Sequence, residues 1–182
     1  MSPFPAAAEQ TAALTPSEAA SLLAAMPGML QMELAALPSV LLTWHPAPGE
    51  WSAQQVIGHL IECEQRGFAG RIRTILAEDR PQLQGWDPDS VALARRDDER
   101  DVAELLREFS EMRVESAALV AALTAEDYAQ GGDHPSVGFL TVRDVLHEWV
   151  GHDRIHLSQI ADNVRAYTWP YMGNGQRFVT GE

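Results

Sequence analysis

Leu140-Thr-Val-Arg-Asp-Val-Leu-His-Glu-Trp-Val-Gly-His-Asp-Arg-Ile-His-Leu-Ser-Gln-Ile160 reads as one amphipathic helix, opened by Thr141 with Asp144 three positions on as an imperfect capping box. It carries His152 and His156. Side chains four positions apart project from one helical face, about 40° apart around the axis, so both imidazoles can reach one metal ion. Two ligands alone make a poor site. A third imidazole is available at His59, inside Trp51-Ser-Ala-Gln-Gln-Val-Ile-Gly-His-Leu-Ile-Glu-Cys-Glu64, another strongly helical stretch. If these two helices pack side by side, a three-histidine site results, with room for water or substrate.

Outward from these segments the chain divides into helices and turns. Residues 1–14 read as a loose tail, and 15–182 as a single domain. Thr15-Pro-Ser-Glu18 combines an N-cap, a first-turn proline and a Glu three positions on. The first helix then runs from Ala19 to Leu37, with Leu22, Leu23, Met26, Leu30 and Leu34 near one face and a kink or break at Pro27-Gly28. Residues 41–50 form a loop. The second helix starts at Ser52, with Gln55 completing a capping box, and ends near Glu78 before Asp79-Arg-Pro81. Residues 80–96, containing Trp86-Asp-Pro-Asp89, form a long polar connection of the kind that crosses over a bundle. The third helix covers about 98–123, with Val102, Leu105, Leu106, Phe109, Met112 and Val120 in its apolar stripe. A turn at 124–127 and a loop at 131–138 precede the fourth helix, which ends near Tyr167. The expected fold is all-α, a four-helix bundle with a long crossover between helices 2 and 3. Metal sites in such bundles are built from side chains projecting inward from facing helices.

Composition limits the function. The chain has 182 residues, 46% apolar and 21% charged, enough for one domain with a real core. A net charge of −13 excludes a broad nucleic-acid-binding face, which needs clustered basic residues. All 13 basic residues are arginine. The single Cys63 excludes an intramolecular disulfide and fits a reducing compartment. The start of the chain lacks the pattern of a signal peptide, and no run approaches the roughly 20 apolar residues of a membrane span. A soluble cytoplasmic protein, with neither nucleic acid nor membrane as a partner, is the expectation.

Each candidate residue has a structural alternative. His147 and His152 superficially resemble the zincin signature, but five positions rotate the side chain by about 140°, so they cannot share a metal from a regular helix. Glu148, four before His152, lies on the histidine stripe as a candidate base, second-layer acceptor or extra ligand; a solvated glutamate is the stronger reading. Glu62, three after His59, carries the same ambiguity. Cys63, four after His59, would close the site as a thiolate ligand, although a small buried apolar residue is the stronger reading. His45 and His134 read as surface or turn residues, and Trp51 and Trp149 as core anchors. Gln159 can reach the rim of the site.

With these residues in place, the chain resembles the DinB-like superfamily of bacterial metal-binding four-helix bundles. The likeness rests on Pro46-Ala-Pro-Gly-Glu-Trp-Ser52 leading into Val56-Ile-Gly-His-Leu60, and on Pro135-Ser-Val-Gly-Phe-Leu-Thr-Val-Arg-Asp-Val-Leu146 leading into His152-Asp-Arg-Ile-His-Leu-Ser-Gln-Ile160. The resemblance implies that His59, His152 and His156 hold a divalent ion, zinc or nickel first and iron after them, in a protein that is often a homodimer and is associated with stress. It also implies a small-molecule substrate. Two chemistries follow from it. The first is S-transfer with a low-molecular-weight thiol that the metal holds as a thiolate; the alternative is hydrolysis by metal-generated hydroxide, with Glu148 or Glu62 as base. A non-catalytic metal-binding bundle is the remaining alternative. An anionic thiol would need Arg66, Arg71 or Arg154 at the pocket to offset the acidic chain.

Overall fold

The computed structural model describes residues 12–181. Most of the expected tail, residues 1–11, lies outside the described residues. Leu14, at its end, is held: its N–H donates to His147 Nε2 at 3.0 Å and its carbonyl accepts from the Tyr128 hydroxyl at 3.0 Å.

The helices follow the sequence signals closely. Thr15 caps α1 (Pro16–Ala24) through a complete capping box with Glu18. The break before α2 (Met26–Ala36) falls at Ala25, two residues ahead of Pro27. Proline has no N–H, so the Leu23 carbonyl four residues earlier loses its ladder partner. That carbonyl instead accepts from the Ala25 N–H and from Arg113 Nη1 at 3.1 Å. Together α1 and α2 span 21 residues, long enough and on average apolar enough to cross a membrane, a stretch the sequence reading passed over. Here Leu23, Met26 and Leu30 are wholly buried in the bundle core.

A short α3 (Ser39–Thr43) leads to α4 (Ala53–Glu62), which opens on the expected Ser52–Gln55 capping box. The expected continuous second helix is interrupted by a π-turn over Cys63–Gly67, where the Phe68 N–H bonds the Cys63 carbonyl, before α5 (Phe68–Ala77) resumes. The local sequence accommodates this turn with Gly70, where a Cβ would lie 2.0 Å from the Gln65 carbonyl oxygen. The crossover is less irregular than its polarity suggests. It contains α6 (Pro88–Arg95), opened by the Asp87 side chain accepting from the Asp89 N–H and by Pro88 in the first turn.

The third helix of the bundle, α7 (Val102–Ala121), is capped by Asp101 and followed by the short α8 (Ala125–Ala129). The expected loop at 131–138 is in fact part of an antiparallel hairpin, β1 (Gly131–His134) with β2 (Gly138–Thr141), pairing Gly131 with Thr141 and His134 with Gly138. The crossover joins it: the Leu83 N–H donates to the Asp133 carbonyl, and the Asp133 N–H donates to the Pro81 carbonyl, both at 2.9 Å. At Gly132 a Cβ would stand 2.8 Å from that Pro81 oxygen, which explains a glycine there. The fourth long helix is α9 (Val142–Thr168), whose Thr141–Asp144 capping box is complete. The chain ends in a largely exposed turn and α10 (Gln176–Thr180).

The four-helix bundle is formed by α1–α2, α4–α5, α7 and α9. Its core has two parts, one around Leu23, Ile72, Leu146 and Trp149, the other around Met26, Ile57, Leu105 and Phe109. Between them lies Arg113 of α7, 1% exposed, with its guanidinium over the rings of Phe109 (4.7 Å) and Trp149 (5.3 Å). It bonds Glu64 of the π-turn and pairs through both terminal nitrogens with Asp153 of α9.

Three outcomes test this account by urea unfolding. Arg113→Met, which strands two buried carboxylates, is expected to lose about 3–5 kcal/mol. The exposed helical Gly151 has open space at its Cβ position, so Gly151→Ala gains up to about 1 kcal/mol from helix propensity, whereas Gly70→Ala loses stability.

Candidate metal centre

His59 projects from α4 and His152 and His156 from α9, and the packing of these helices brings the three rings together. His59 Nε2 lies 3.0 Å from His152 Nε2, which lies 3.1 Å from His156 Nε2. The ring centroids of His59 and His156 are 4.6 Å apart. Cys63, the first residue of the π-turn, places its Sγ 3.4 Å from His59 Nε2 and 3.8 Å from His152 Nε2. The donor atoms of His59, Cys63 and His152 all lie within 4.8 Å of one another. The cluster therefore contains a thiol that the sequence reading favoured as an apolar filler.

Burial sets the charge of this group. Desolvation, then the His156 charge, lowers the His59 pKa to about 3. Desolvation and its two histidine neighbours, followed by Arg113 and Arg71, lower His152 to about 2. His156 is also lowered, chiefly by desolvation. The Cys63 thiol is pushed up by burial and then by the negative field of Glu64, with Asp153 and Glu148 adding to it. At neutral pH the cluster is three neutral imidazoles and a protonated thiol. Neutral imidazole is the form that binds metals.

The donor set fits a divalent ion. His156 Nδ1 is 2.8 Å from Gln159 Oε1, so the amide oxygen accepts from an Nδ1–H and the neutral ring keeps Nε2 bare. Gln159 thus acts at the rim, as its spacing suggests. His59 Nδ1 and His152 Nδ1 are buried without a hydrogen-bond partner among the described residues, so each ring is engaged there through its Nε2 edge. Bare nitrogen lone pairs at 3.0 and 3.1 Å repel one another unless a proton or a cation lies between them. Two imidazole nitrogens on one ion, at bonds of about 2.0–2.1 Å, are separated by about 2.9–3.4 Å.

Aromatic side chains enclose the cluster. Trp51 lies against His59 (4.7 Å between centroids) and stacks over His156 (6.1 Å). Trp86, from the crossover, stacks on His59 at 5.6 Å and is itself covered by Arg66. Phe68 meets His152 edge-on at 4.9 Å and stacks on Trp149, a core anchor as expected. The role of Trp86 escaped the sequence reading; only its place beside Asp87-Pro88, a helix start in the crossover, hinted that the residue is held in place.

The remaining candidates are spread around this centre. Glu62 faces the crossover, its carboxylate 2.7 Å from both Arg95 Nη1 and Arg66 Nε. Glu148 is exposed, close enough for its charge to act on Cys63 and His134. His147 points away from the cluster, its Nδ1 donating to the Arg143 carbonyl at 2.7 Å and its Nε2 accepting from Leu14. His45 is a turn residue, 2.7 Å from the Glu50 carbonyl and 3.2 Å from Asp98.

A four-helix bundle with an imidazole cluster between two facing helices is the architecture of a helical metalloprotein. The chain belongs to the DinB superfamily, whose sequence profile matches residues 22–160. Among solved structures it is similar in fold to YfiT from Bacillus subtilis, described as a probable metal-dependent hydrolase with an unusual four-helix bundle topology. That likeness has a TM-score of 0.79 at 21% identity and covers 90% of this chain and 94% of YfiT. Comparison with the curated proteins found no match.

Metal analysis of the purified chain tests the geometry. Near one ion per chain is expected after loading with zinc or nickel, with the ion lost in His59→Ala and His156→Ala while helicity is retained. Gln159→Leu is expected to keep the site but weaken metal affinity about 10–100-fold.

Proposed function

We propose that this chain is a divalent-metal-dependent enzyme acting on a small molecule, with His59, His152 and His156 as the metal ligands and hydrolysis as its first reading. The observation that carries this is a run of three largely buried, neutral imidazoles, with His152 Nε2 lying 3.0 Å from His59 Nε2 and 3.1 Å from His156 Nε2. A bound divalent ion would supply Lewis acidity, lowering the pKa of a water or thiol that it holds.

The residues around the ion then have separate tasks. Gln159 holds the His156 tautomer. Trp51, Phe68 and Trp86 exclude bulk water from the imidazole edges. Glu62 is engaged by two arginines, so Glu148 is the better-placed proton acceptor of the two carboxylates. Hydrolysis is supported by the fold shared with YfiT and its description. Zinc and nickel are the ions proposed; both suit imidazole donors.

A second reading, transfer of a low-molecular-weight thiol, is favoured by one observation. Arg66 and Arg71 line a cleft of about 440 Å³ along α5 and the crossover, a setting for an anionic thiol in an otherwise acidic chain. No role with nucleic acid is proposed, given the net charge of −13.

The test compares zinc- and nickel-loaded protein on activated esters and amides, and on an electrophile such as 1-chloro-2,4-dinitrobenzene with and without added thiol. The hydrolytic reading expects metal-dependent ester or amide cleavage, abolished by chelation, restored by metal, and reduced at least about 100-fold in His59→Ala. Turnover only when thiol and electrophile are both present would replace it with the transfer reading. A metal-loaded protein inert in both assays would leave a binding bundle and overturn both.

A further inference from the structure

Arg71 differs from Arg113 and Arg95, which are paired with carboxylates. Arg113 has Asp153 and Glu64, and Arg95 has Glu62 and Asp97. Arg71 is half-buried, and its guanidinium meets another donor-bearing ring: Nη2 lies 3.1 Å from His134 Nε2. Its Nε is buried with no hydrogen-bond partner among the described residues. His134 is equally ill-matched. The Ser136 N–H donates toward its Nδ1 at 3.3 Å while Arg71 approaches its Nε2. A neutral imidazole has one acceptor nitrogen, so two donors face a ring that can satisfy only one of them. The pair has more N–H groups than its single acceptor nitrogen can satisfy, and buried donors are costly to leave unpaired.

These groups sit where a substrate would approach. Arg71 lines the cleft of about 440 Å³ together with Arg66, Gln82 and Gln84. His134 packs beside Gly85, the next crossover residue, and Trp86 after it stacks on His59. On α5, Arg71 stands one helical turn from Phe68, whose ring meets His152.

We propose that Arg71 and His134 form a carboxylate-binding subsite beside the histidine cluster, holding the acid group of a small-molecule substrate; the assignment rests on the reading of that cluster as a metal-dependent centre. A guanidinium fork is matched to the two oxygens of a carboxylate, which would take the free Nε–H and one Nη–H of Arg71. Glu78 lines the same cleft and Glu148 acts on His134, so the local positive charge is small and suits the single charge of one carboxylate group rather than the two that phosphate concentrates on one group. The charge of Arg71 is also felt at both Cys63 and His152, which places the subsite within electrostatic reach of the centre.

The test titrates succinate into the zinc-loaded full chain, following the Arg71 Nε–H resonance by nitrogen-15 NMR and the affinity by calorimetry. The Arg71 signal is expected to move with succinate, and Arg71→Gln to weaken binding at least about tenfold. Arg71→Lys, which keeps the charge and folds under the same constraints, is expected to retain part of the affinity. His59→Ala should bind succinate within about twofold of the parent, because the subsite does not use the ion. Unchanged affinity in Arg71→Gln, no binding to the parent, or phosphate binding more tightly than succinate would each overturn the subsite. If zinc fails to bind while succinate still depends on Arg71, the metal reading falls and the subsite stands; zinc binding with succinate indifferent to Arg71 gives the reverse.

Discussion

A single buried cation, Arg113, connects all four helices of this bundle. It rises from α7, donates to the Leu23 carbonyl at the α1–α2 break, bonds Glu64 in the π-turn and pairs with Asp153 on α9. Burial alone would push its charge off; the hydrogen bonds and fields of Asp153 and Glu64 outweigh it and hold the guanidinium ionised. The two carboxylates are themselves pushed up by desolvation, against the pull of Arg113. Such a network is weak evidence for net stability, since apolar residues of like volume often do as well. Its consequence is geometric. Helices that slide or rotate against one another lose these bonds, so register and azimuth are held together.

That register is what the metal centre needs. Asp153 follows His152 and Glu64 follows Cys63, so two of the Arg113 partners are chain neighbours of cluster residues. The irregular points of the backbone serve the same arrangement. Pro27 frees the Leu23 carbonyl that Arg113 takes up, and the π-turn that begins at Cys63 offsets α5 from the face of α4. Turns of this kind recur at functional sites because they re-aim side chains within a continuous helix. Here the turn sets the thiol against His59 and carries Phe68 onto His152.

What the sequence made legible was whatever depends on helical periodicity and local capping. Ser52–Gln55 and Thr141–Asp144 form the boxes their spacing predicts, and the i, i+4 pair His152–His156 faces His59 as a facing-helix site requires. The rejected pairing of His147 with His152 follows from the same rotation, and His147 serves the N-terminal segment instead. The unread parts rest on contacts remote in sequence. The π-turn has no periodic signature of its own. The hairpin is built from Gly131-Gly-Asp-His134, residues of poor strand propensity, and pairs through backbone with the crossover at Pro81 and Leu83. Trp86 and His134 acquire their places only when that crossover folds back over the bundle. Asp87-Pro88, an N-cap before a first-turn proline, is a local signal of α6, but the polarity of 80–96 led that stretch to be read as a connection.

The electrostatics of the centre favour a cation over a thiolate. Glu64, Asp153 and Glu148 all press on Cys63 with negative field, and desolvation adds to them, so the free thiol keeps its proton. The same field, acting on a divalent ion among three neutral imidazoles, is attractive. Arg113 and Arg71 oppose it at His152, but Arg113 is already neutralised by its carboxylates, which leaves Arg71 as the one of these two not offset by a salt bridge among the described residues. An arginine left unpaired beside a cation site is a cost to both metal binding and folding unless something negative completes it. A substrate anion does so at the moment when the ion is needed, so the charge that disfavours the resting site becomes part of what recognises its ligand.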